Sequence, residues 1–424
     1  MKKIGVALLG LGTVGGGTYE ILTKNREYFI KTQGIDVEVM HVLERNTKRA
    51  EELGVPLGIV STDIENVLNN DDIKIVAEFF GGIEPARTFL LKALEKGKSI
   101  VTANKELYSK HWHEFEAVAA KTGAGLYFEA SCVGGVPIIR TIEEGMQGNR
   151  IEELKGIING TTNFILSSMD EEGASYSDAL KRAQVLGYAE FDPTADVEGF
   201  DAAYKLSILS SLAYHKRIPV DKIYREGISK IQIEDLNTAK DLGYTLKLLA
   251  ISKNKGDSLE ARVSPVFVPS SHPLAAVKGS FNAVYLKGDS VGDIMLYGRG
   301  AGALPTGSAI VSDILYAARQ SEHRRYPFML KDEDVNISND FTSKYYIRVA
   351  ALDEEGTLGK IANVFGKRNI NIDVVLQKQP RSRENVPIIF VTGKAKESLM
   401  QKAVSEIKQL SGVREVVSLI RVEE

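Results

Sequence analysis

A single cysteine, Cys132, occurs in 424 residues, so no intrachain disulfide can form and a reducing compartment is the natural setting. Long apolar runs are missing too: none approaches the roughly 20 residues of a membrane-spanning helix. The first residues, two lysines followed by the apolar run 4–9, share the order of a secretory leader. They pass straight into glycines with no small-residue cleavage site, and so read as a buried strand. The cytoplasm is the expected location. Excess charge of either sign is also lacking, since 53 Lys and Arg against 56 Asp and Glu give a formal net charge of -3. No basic face therefore calls for nucleic acid, and the short clusters Lys48-Arg49 and His323-Arg324-Arg325 read as solvated surface. Neither low complexity nor a tandem repeat is present. The 43% hydrophobic and 26% charged residues are those of a globular protein, and the length predicts two or three domains.

What is present first is alternation. Residues 4–9, 37–43, 73–79 and 99–102 read as short apolar strands, with helical periods at 18–29 and 85–96. Strand–helix alternation predicts an α/β, Rossmann-type, doubly wound parallel sheet over residues 1–135. From 136 to 300 the pattern is α+β, with strands at 151–158 and 262–268 and helices at 176–186 and 201–213. This is the expected substrate-binding and oligomerisation domain. The helix at 306–318, within a segment 301–330, is expected to return to the first domain. Residues 331–343 read as a polar linker. Beyond it, 344–424 has strands at 345–352, 370–377, 387–392 and 413–422 and helices at 358–367 and 397–410. A charged loop separates the second and third strands. That β-α-β-β-α-β order is ferredoxin-like.

The segment Gly10-Leu11-Gly12-Thr13-Val14-Gly15 joins the first strand to a helix. Its first two glycines allow a tight turn and close approach of backbone N–H groups to a pyrophosphate. The third lets helix and strand pack closely, and the helix N-terminus favours the anion. A lone motif of this kind is weak, but its place between strand and helix at the chain start points to a nicotinamide dinucleotide. At the end of the second strand Glu44 suits a ribose 2′-hydroxyl, while adjacent Arg45, with Lys48 and Arg49, suits a 2′-phosphate. NAD and NADP both remain open from these residues.

Asp201 and Lys205 are four apart in a helical stretch, so they project from one face. In a site that excludes water, such a lysine can deliver a proton to a developing alkoxide. The same spacing also suits an exposed ion pair worth about 0.2–0.5 kcal/mol. The density of acids from Glu190 through Asp196 to Asp201 narrows that choice without closing it. The polar run at 157–163 could cap a helix or line a pocket. Lys105 follows the carboxyl end of a Rossmann-type strand, where ligands of open α/β sheets sit. Cys132 could be a thioester-forming nucleophile or a buried inert thiol. The first role wants a base, and no histidine is near in sequence, although His215, His272 or His323 could approach in space.

Taken together, these segments resemble the homoserine dehydrogenase family over nearly the whole chain, through residues 10–15, 81–82, 102–107, 129–137, 156–166, 186–206 and 299–308. The stretch 187–205 matches the family's signature, and the tail resembles an ACT domain, an amino-acid-sensing module. The resemblance implies NAD(P)-dependent, reversible reduction of aspartate 4-semialdehyde to homoserine in threonine, methionine and isoleucine biosynthesis, with NADP favoured by family habit. It makes Lys205 the proton donor, with Asp201 and Glu190 holding the substrate, Asp196 supporting them, and Lys105 near nicotinamide ribose and substrate. Thr13, Val14, Gly187 and Gly302 would line the dinucleotide with Gly10, Gly12, Gly15, Glu44 and Arg45. A monovalent cation, usually sodium, would sit on mostly backbone carbonyls of Glu129, Cys132, Gly134 and Val136. Threonine is the implied effector, and a homodimer or homotetramer the implied assembly. Two departures stand out: Cys132-Val133 replaces the family's common Val-Gly, and Glu355 replaces a common proline in the tail's 353–358 turn. Two competing readings are a phosphorylating semialdehyde dehydrogenase using Cys132 and a non-catalytic sensor of dinucleotide and amino acid.

Overall fold

A computed structural model describes residues 2–331, 333–377 and 386–423. Met1, Asp332 of the expected linker, Glu424, and most of the charged loop before Pro387 lie outside the described residues. The chain divides into two compact units. The first comprises Met1–Gly160, Asp201–Lys222 and Phe281–Val335; the second comprises Thr161–Phe200, Ile223–Ser280 and Asn336–Glu424. No helix among the described residues is long and apolar enough to cross a membrane.

The first unit is built on a parallel sheet of β1 (Lys2–Leu9), β2 (Ile35–Leu43), β3 (Val60–Ser61), β4 (Ile73–Glu78), β5 (Ser99–Thr102) and β6 (Leu126–Tyr127), in the order β3-β2-β1-β4-β5-β6. Val6, Ala7, Leu8 and Leu9 are wholly buried, as a strand covered on both faces requires, and this is why the first strand reads as an unbroken apolar run. Order reverses between the two neighbours of β1, so ligands belong at the carboxyl ends there. The connecting helices are α1 (Thr13–Lys24), α2 (Arg26–Gln33), α3 (Thr47–Glu52), α4 (Glu65–Leu68), α5 (Ala86–Glu95) and α6 (Lys105–Thr122). The helix expected over 18–29 thus starts five residues earlier and is divided at Asn25, whose φ of -102° and ψ of 10° break the spiral. Three consecutive glycines at 15–17 discourage a helix by propensity. Packing overrides this, because a Cβ on Gly17 would overlap Ala303 O, and one on Gly307 would meet Gly17 C at 2.9 Å. The helix Ala303–Arg319 crosses α1 at that glycine face, burying Ile310 and Ile314 in the core around Val6 and Leu8.

α6, absent from the local reading, is capped by Asn104 Oδ1, which accepts from Leu107 N at 3.1 Å, and ends at Gly123 in the left-handed region. Tyr108, Trp112 and Phe115 on it pack among Phe128 and Tyr326. The unit also holds an antiparallel set, Ile151–Ile157, Phe281–Gly288 and Gly292–Arg299, and the helix Phe200–Tyr214, which is buried nearly all round from Asp201 onward.

In the second unit Tyr244–Asn254 and Leu259–Pro269 pair antiparallel. The tail strands run in the order Val413–Val422, Thr342–Ala351, Val386–Thr392, Ile372–Gln377, all antiparallel. With helices Thr357–Gly366 and Glu397–Ile407 burying Ile361, Phe365, Met400 and Ile407 against Tyr345, Val349 and Phe390, this is the ferredoxin-like arrangement. Val413–Val422 pairs in parallel with Leu259–Pro269 at Val266 and Phe267. Residues 336–338 hydrogen-bond to Leu259 through its N–H and carbonyl, at 2.9 and 2.8 Å. The fold is the expected α/β, a Rossmann-type parallel sheet followed by mixed α+β structure.

Candidate functional site

Gly10 closes the glycine turn at φ 102°, donating to Leu43 O at 2.9 Å, and a Cβ on Gly15 would overlap Gly10 O. Gly12, the residue capping α1, offers no side-chain cap and is exposed, with nothing within 4 Å of the position of an added Cβ. First-turn N–H groups at Thr13, Val14 and Gly15 therefore stand at a helix N-terminus with open space beside Gly12, an arrangement suited to a pyrophosphate. The residues present fit a dinucleotide. Gly302, at φ 129°, starts the helix that crosses α1. At the adenosine end, the Glu44 carboxylate accepts from Leu11 N (2.7 Å), Arg45 N (2.8 Å) and Asn46 N (2.9 Å). It braces the glycine turn, which the sequence could not reveal. Arg49 Nε donates to Leu11 O at 3.3 Å. Arg45 and Lys48 are exposed, and among the described residues neither has a side-chain partner.

At the carboxyl ends of β4 and β5, Glu78 is fully buried. Its carboxylate accepts from Thr102 Oγ1 (2.5 Å) and Phe80 N (2.6 Å), while Asn104 Nδ2 donates to Gly82 O at 2.7 Å. Burial pushes the Glu78 carboxyl up to about 7 against the pull of these bonds. The cluster fixes the turn that opens α6, and so the position of Lys105, its first residue. Sequence reasoning missed Glu78; a lone acid closing the buried apolar run 75–77 is the signal that marks it.

Lys105, Asp201 and Lys205 come together. Lys205 Nζ donates to Asp201 Oδ2 at 2.7 Å and to Ile158 O at 2.8 Å, and Lys105 Nζ lies 3.2 Å from Asp201 Oδ1. Asn159 Nδ2 donates to Asp201 Oδ2 at 2.9 Å. The Asp201 and Lys205 side chains are 7% and 12% exposed, so the pair is not the solvated ion pair that spacing alone also suits. Burial opposes ionisation of Asp201, but Lys205 and then Lys105 outweigh it and hold the carboxyl below the usual carboxylate range. An ammonium has three N–H donors. Among the described residues two on Lys205 are engaged, which leaves one for a reacting oxygen. The 157–163 run supplies Ile158 O and Asn159 to this cluster, which separates it from simple helix capping.

Gly187, Glu190 and Asp196 belong to the second unit. Gly187, at φ 76°, ends the helix Tyr176–Val185, and Gln184 Nε2 donates to Glu190 O and Phe191 O at 3.1 and 3.2 Å. Thr161 Oγ1 donates to Tyr188 O at 2.6 Å. Glu190 is exposed and Asp196 half-buried, in the short helix Thr194–Val197.

The loop expected to take a cation is tightly held. Glu129 accepts from Ile139 N and Arg140 N, both at 2.8 Å, and its own N–H donates to Asp313 Oδ2 at 2.9 Å. Val133 has φ 56° and Gly134 φ 46°. A β-branched residue in the left-handed region costs on the order of 1–3 kcal/mol, so the departure from Val-Gly is carried as strain. Cys132 and Gly134 are buried, yet among the described residues their carbonyls accept no hydrogen bond. Buried carbonyls demand a partner, and a hard monovalent cation fits them. Among the described residues no group of three or more His, Cys, Asp and Glu suits a metal ion, so any ligation here rests on backbone oxygen.

Burial pushes the Cys132 thiol up to about 12, and its S–H points at Lys205 O at 3.8 Å. His215 packs on Phe328, His323 bonds Tyr127 Oη, and His272 caps the Leu274 turn. Lacking a base and a thiolate, Cys132 is a core residue.

The family model described as Homoserine dehydrogenase matches residues 137–315, and that described as Homoserine dehydrogenase, NAD binding domain matches residues 10–129. Curated relatives include homoserine dehydrogenases of Neisseria gonorrhoeae, 40% identical over 100% of this chain and 99% of theirs, and of Pseudomonas aeruginosa, 41% identical over 100% of both. The crystal structure of a homoserine dehydrogenase from Thiobacillus denitrificans superposes with TM-score 0.94 at 41% identity, covering 100% of this chain and 99% of that one. A hyperthermophilic archaeal homoserine dehydrogenase in complex with NADPH gives TM-score 0.65 at 26% identity, over 76% of this chain and 100% of that one.

Proposed function

This chain belongs to the homoserine dehydrogenase family, and we propose that it catalyses reversible NAD(P)-dependent reduction of L-aspartate 4-semialdehyde to L-homoserine in the cytoplasm. The observation that carries the reading is the buried Asp201 held between two lysines at the carboxyl edge of a dinucleotide-binding sheet.

When bound, a nicotinamide dinucleotide would supply hydride chemistry: hydride given to the aldehyde carbon in reduction, or taken from the alcohol carbon in oxidation. The free N–H of Lys205 gives its proton to the carbonyl oxygen, completing the alcohol; in oxidation the same amine takes it back. Asp201 fixes Lys205 through Oδ2 and draws Lys105 to Oδ1, so both cations are aimed before charge develops on the oxygen. Glu190 and Asp196, in the segment matching the family signature, hold the amino-acid end of the substrate. The glycine-turn N–H groups, with Gly187 and Gly302, hold the dinucleotide.

NADP is the preferred form in this reading. Glu44 is engaged by three backbone N–H groups, while Arg45 and Lys48 remain for a 2′-phosphate. A sodium ion would be held by the carbonyls of Cys132 and Gly134, with Glu129 and Val136. The tail acts as an ACT module for threonine: its helix Thr357–Gly366 begins uncapped at Gly356, and the buried Thr357 Oγ1 has no partner. The enzyme assembles as a homodimer or homotetramer.

Steady-state oxidation of homoserine, followed by nicotinamide absorbance with each cofactor, tests this. Turnover with both, a higher kcat/KM with NADP, and inhibition by threonine are expected. No reduction of either dinucleotide overturns the assignment.

A further inference from the structure

A cavity of about 150 Å³ lies between α6 and the helix Phe200–Tyr214, closed by residues 217–221 and Met329. None of the residues assigned above to dinucleotide, substrate or cation lines it. Its volume equals that of about five waters. Trp112, Ile208, Val220 and Met329 give it apolar walls.

Two of the charged groups that line it, Arg217 and Asp221, are without a partner among the described residues. Arg217 is half-buried and Asp221 exposed. Among the described residues neither side chain makes a hydrogen bond or ion pair, with each other or with anything else. Lys110, also at the cavity, is already neutralised by Glu106 at 2.7 Å. The indole Nε1–H of Trp112, in the wall, is buried with no acceptor. Such an orphan donor costs about 1–3 kcal/mol, and calls for an explanation.

The segment bearing the two charges is rigidly seated. Ser207 Oγ donates to Ile218 O at 2.6 Å, and Ile218 N donates to Ser211 Oγ at 3.0 Å. The backbone next to Arg217 is thus held by two hydroxyls of the helix that also carries Asp201 and Lys205.

One unpaired cation, one unpaired anion, a free indole N–H and apolar walls match one ligand chemistry. We propose that this cavity binds a small zwitterionic α-amino acid with an apolar side chain, its carboxylate on Arg217 and its ammonium on Asp221. Trp112 Nε1–H offers a second donor to the carboxylate. The occupant touches α6, which begins at Lys105, and the helix bearing Asp201 and Lys205.

Calorimetric titration of the full chain with L-valine tests the proposal. Isovalerate, which lacks the amine, and isobutylamine, which lacks the carboxylate, serve as truncated probes. One saturable site per chain is expected, weakened roughly tenfold or more in Arg217→Met, in Asp221→Asn and for each truncated probe. Both variants should keep wild-type kcat without valine, showing that they are folded. Absence of saturable valine binding overturns the proposal. So does binding indifferent to both substitutions, which would place valine elsewhere. Loss in Arg217→Met alone would make the cavity a carboxylate site and reject the amino-acid assignment.

Discussion

Asp201 and Glu78 are both buried in the first unit, and their carboxyls are driven in opposite directions. Burial disfavours charge on each. At Asp201 two ammonium groups reverse that effect; at Glu78 only neutral donors are at hand, and the carboxyl rises to about 7. The signs for stability follow by linkage. Asp201, depressed when folded, contributes stability that is complete above the ordinary carboxyl range and fades only in strong acid. Glu78, raised when folded, contributes stability that is complete below its unfolded value, declines as pH rises towards about 7, and is absent above it. That decline is on the order of 3 kcal/mol. Glu78→Gln should therefore flatten the fall of Tm between about pH 5 and pH 8, and an unaltered Tm profile in the variant would count against the assignment. The i,i+4 spacing of Asp201 and Lys205 was legible in the sequence because it is local. Its burial, its second lysine and its Asn159 were not, because the lysine and the asparagine come from residues 96 and 42 positions away. Glu44 is an intermediate case: its position was legible, but its three N–H donors were not, one of them coming from Leu11 in the glycine turn.

At the scale of elements, the crossing of α1 by the helix Ala303–Arg319 shapes the dinucleotide end of the sheet. Gly17 and Gly307 let the two backbones meet, and the atom a Gly17 methyl would strike is main chain, which cannot swing aside. Gly17→Ala should destabilise the protein by about 1–3 kcal/mol or more and raise the Kd for NADP. Urea unfolding and a fluorescence titration measure the two effects, and wild-type values in both would refute the packing argument. The same crossing explains why a helix period appeared only from residue 18: glycine propensity hid the first turn. Tyr244–Asn254 escaped notice for another reason. Residues 246–252 are buried on both faces, so alternation with period two is erased. The tail strands and helices were legible nearly to the residue, since each buries one face and shows its period.

Across the whole molecule, the least legible feature was that the first unit is assembled from three stretches of chain, for no local pattern announces a return at Asp201 or Phe281. Within the second unit, the tail is joined through its own strand Val413–Val422. Arg421, wholly buried, pairs with Glu397 at 2.5 Å and with Glu226, and Arg262 pairs with Glu260 at 2.9 Å and with Glu423. Removing one partner of a buried pair costs about 3–5 kcal/mol. Arg421→Met should lose that much in urea unfolding, and an unchanged midpoint would show that the network is not needed. The proposed reaction depends on Lys205 as the proton donor. Its most direct test is Lys205→Ala, with homoserine turnover and dinucleotide affinity measured side by side. The prediction is a fall in kcat of roughly 10²–10⁴-fold, with little change in the NADP Kd. Near-normal kcat, or a loss of turnover matched by an equal loss of NADP binding, would contradict it.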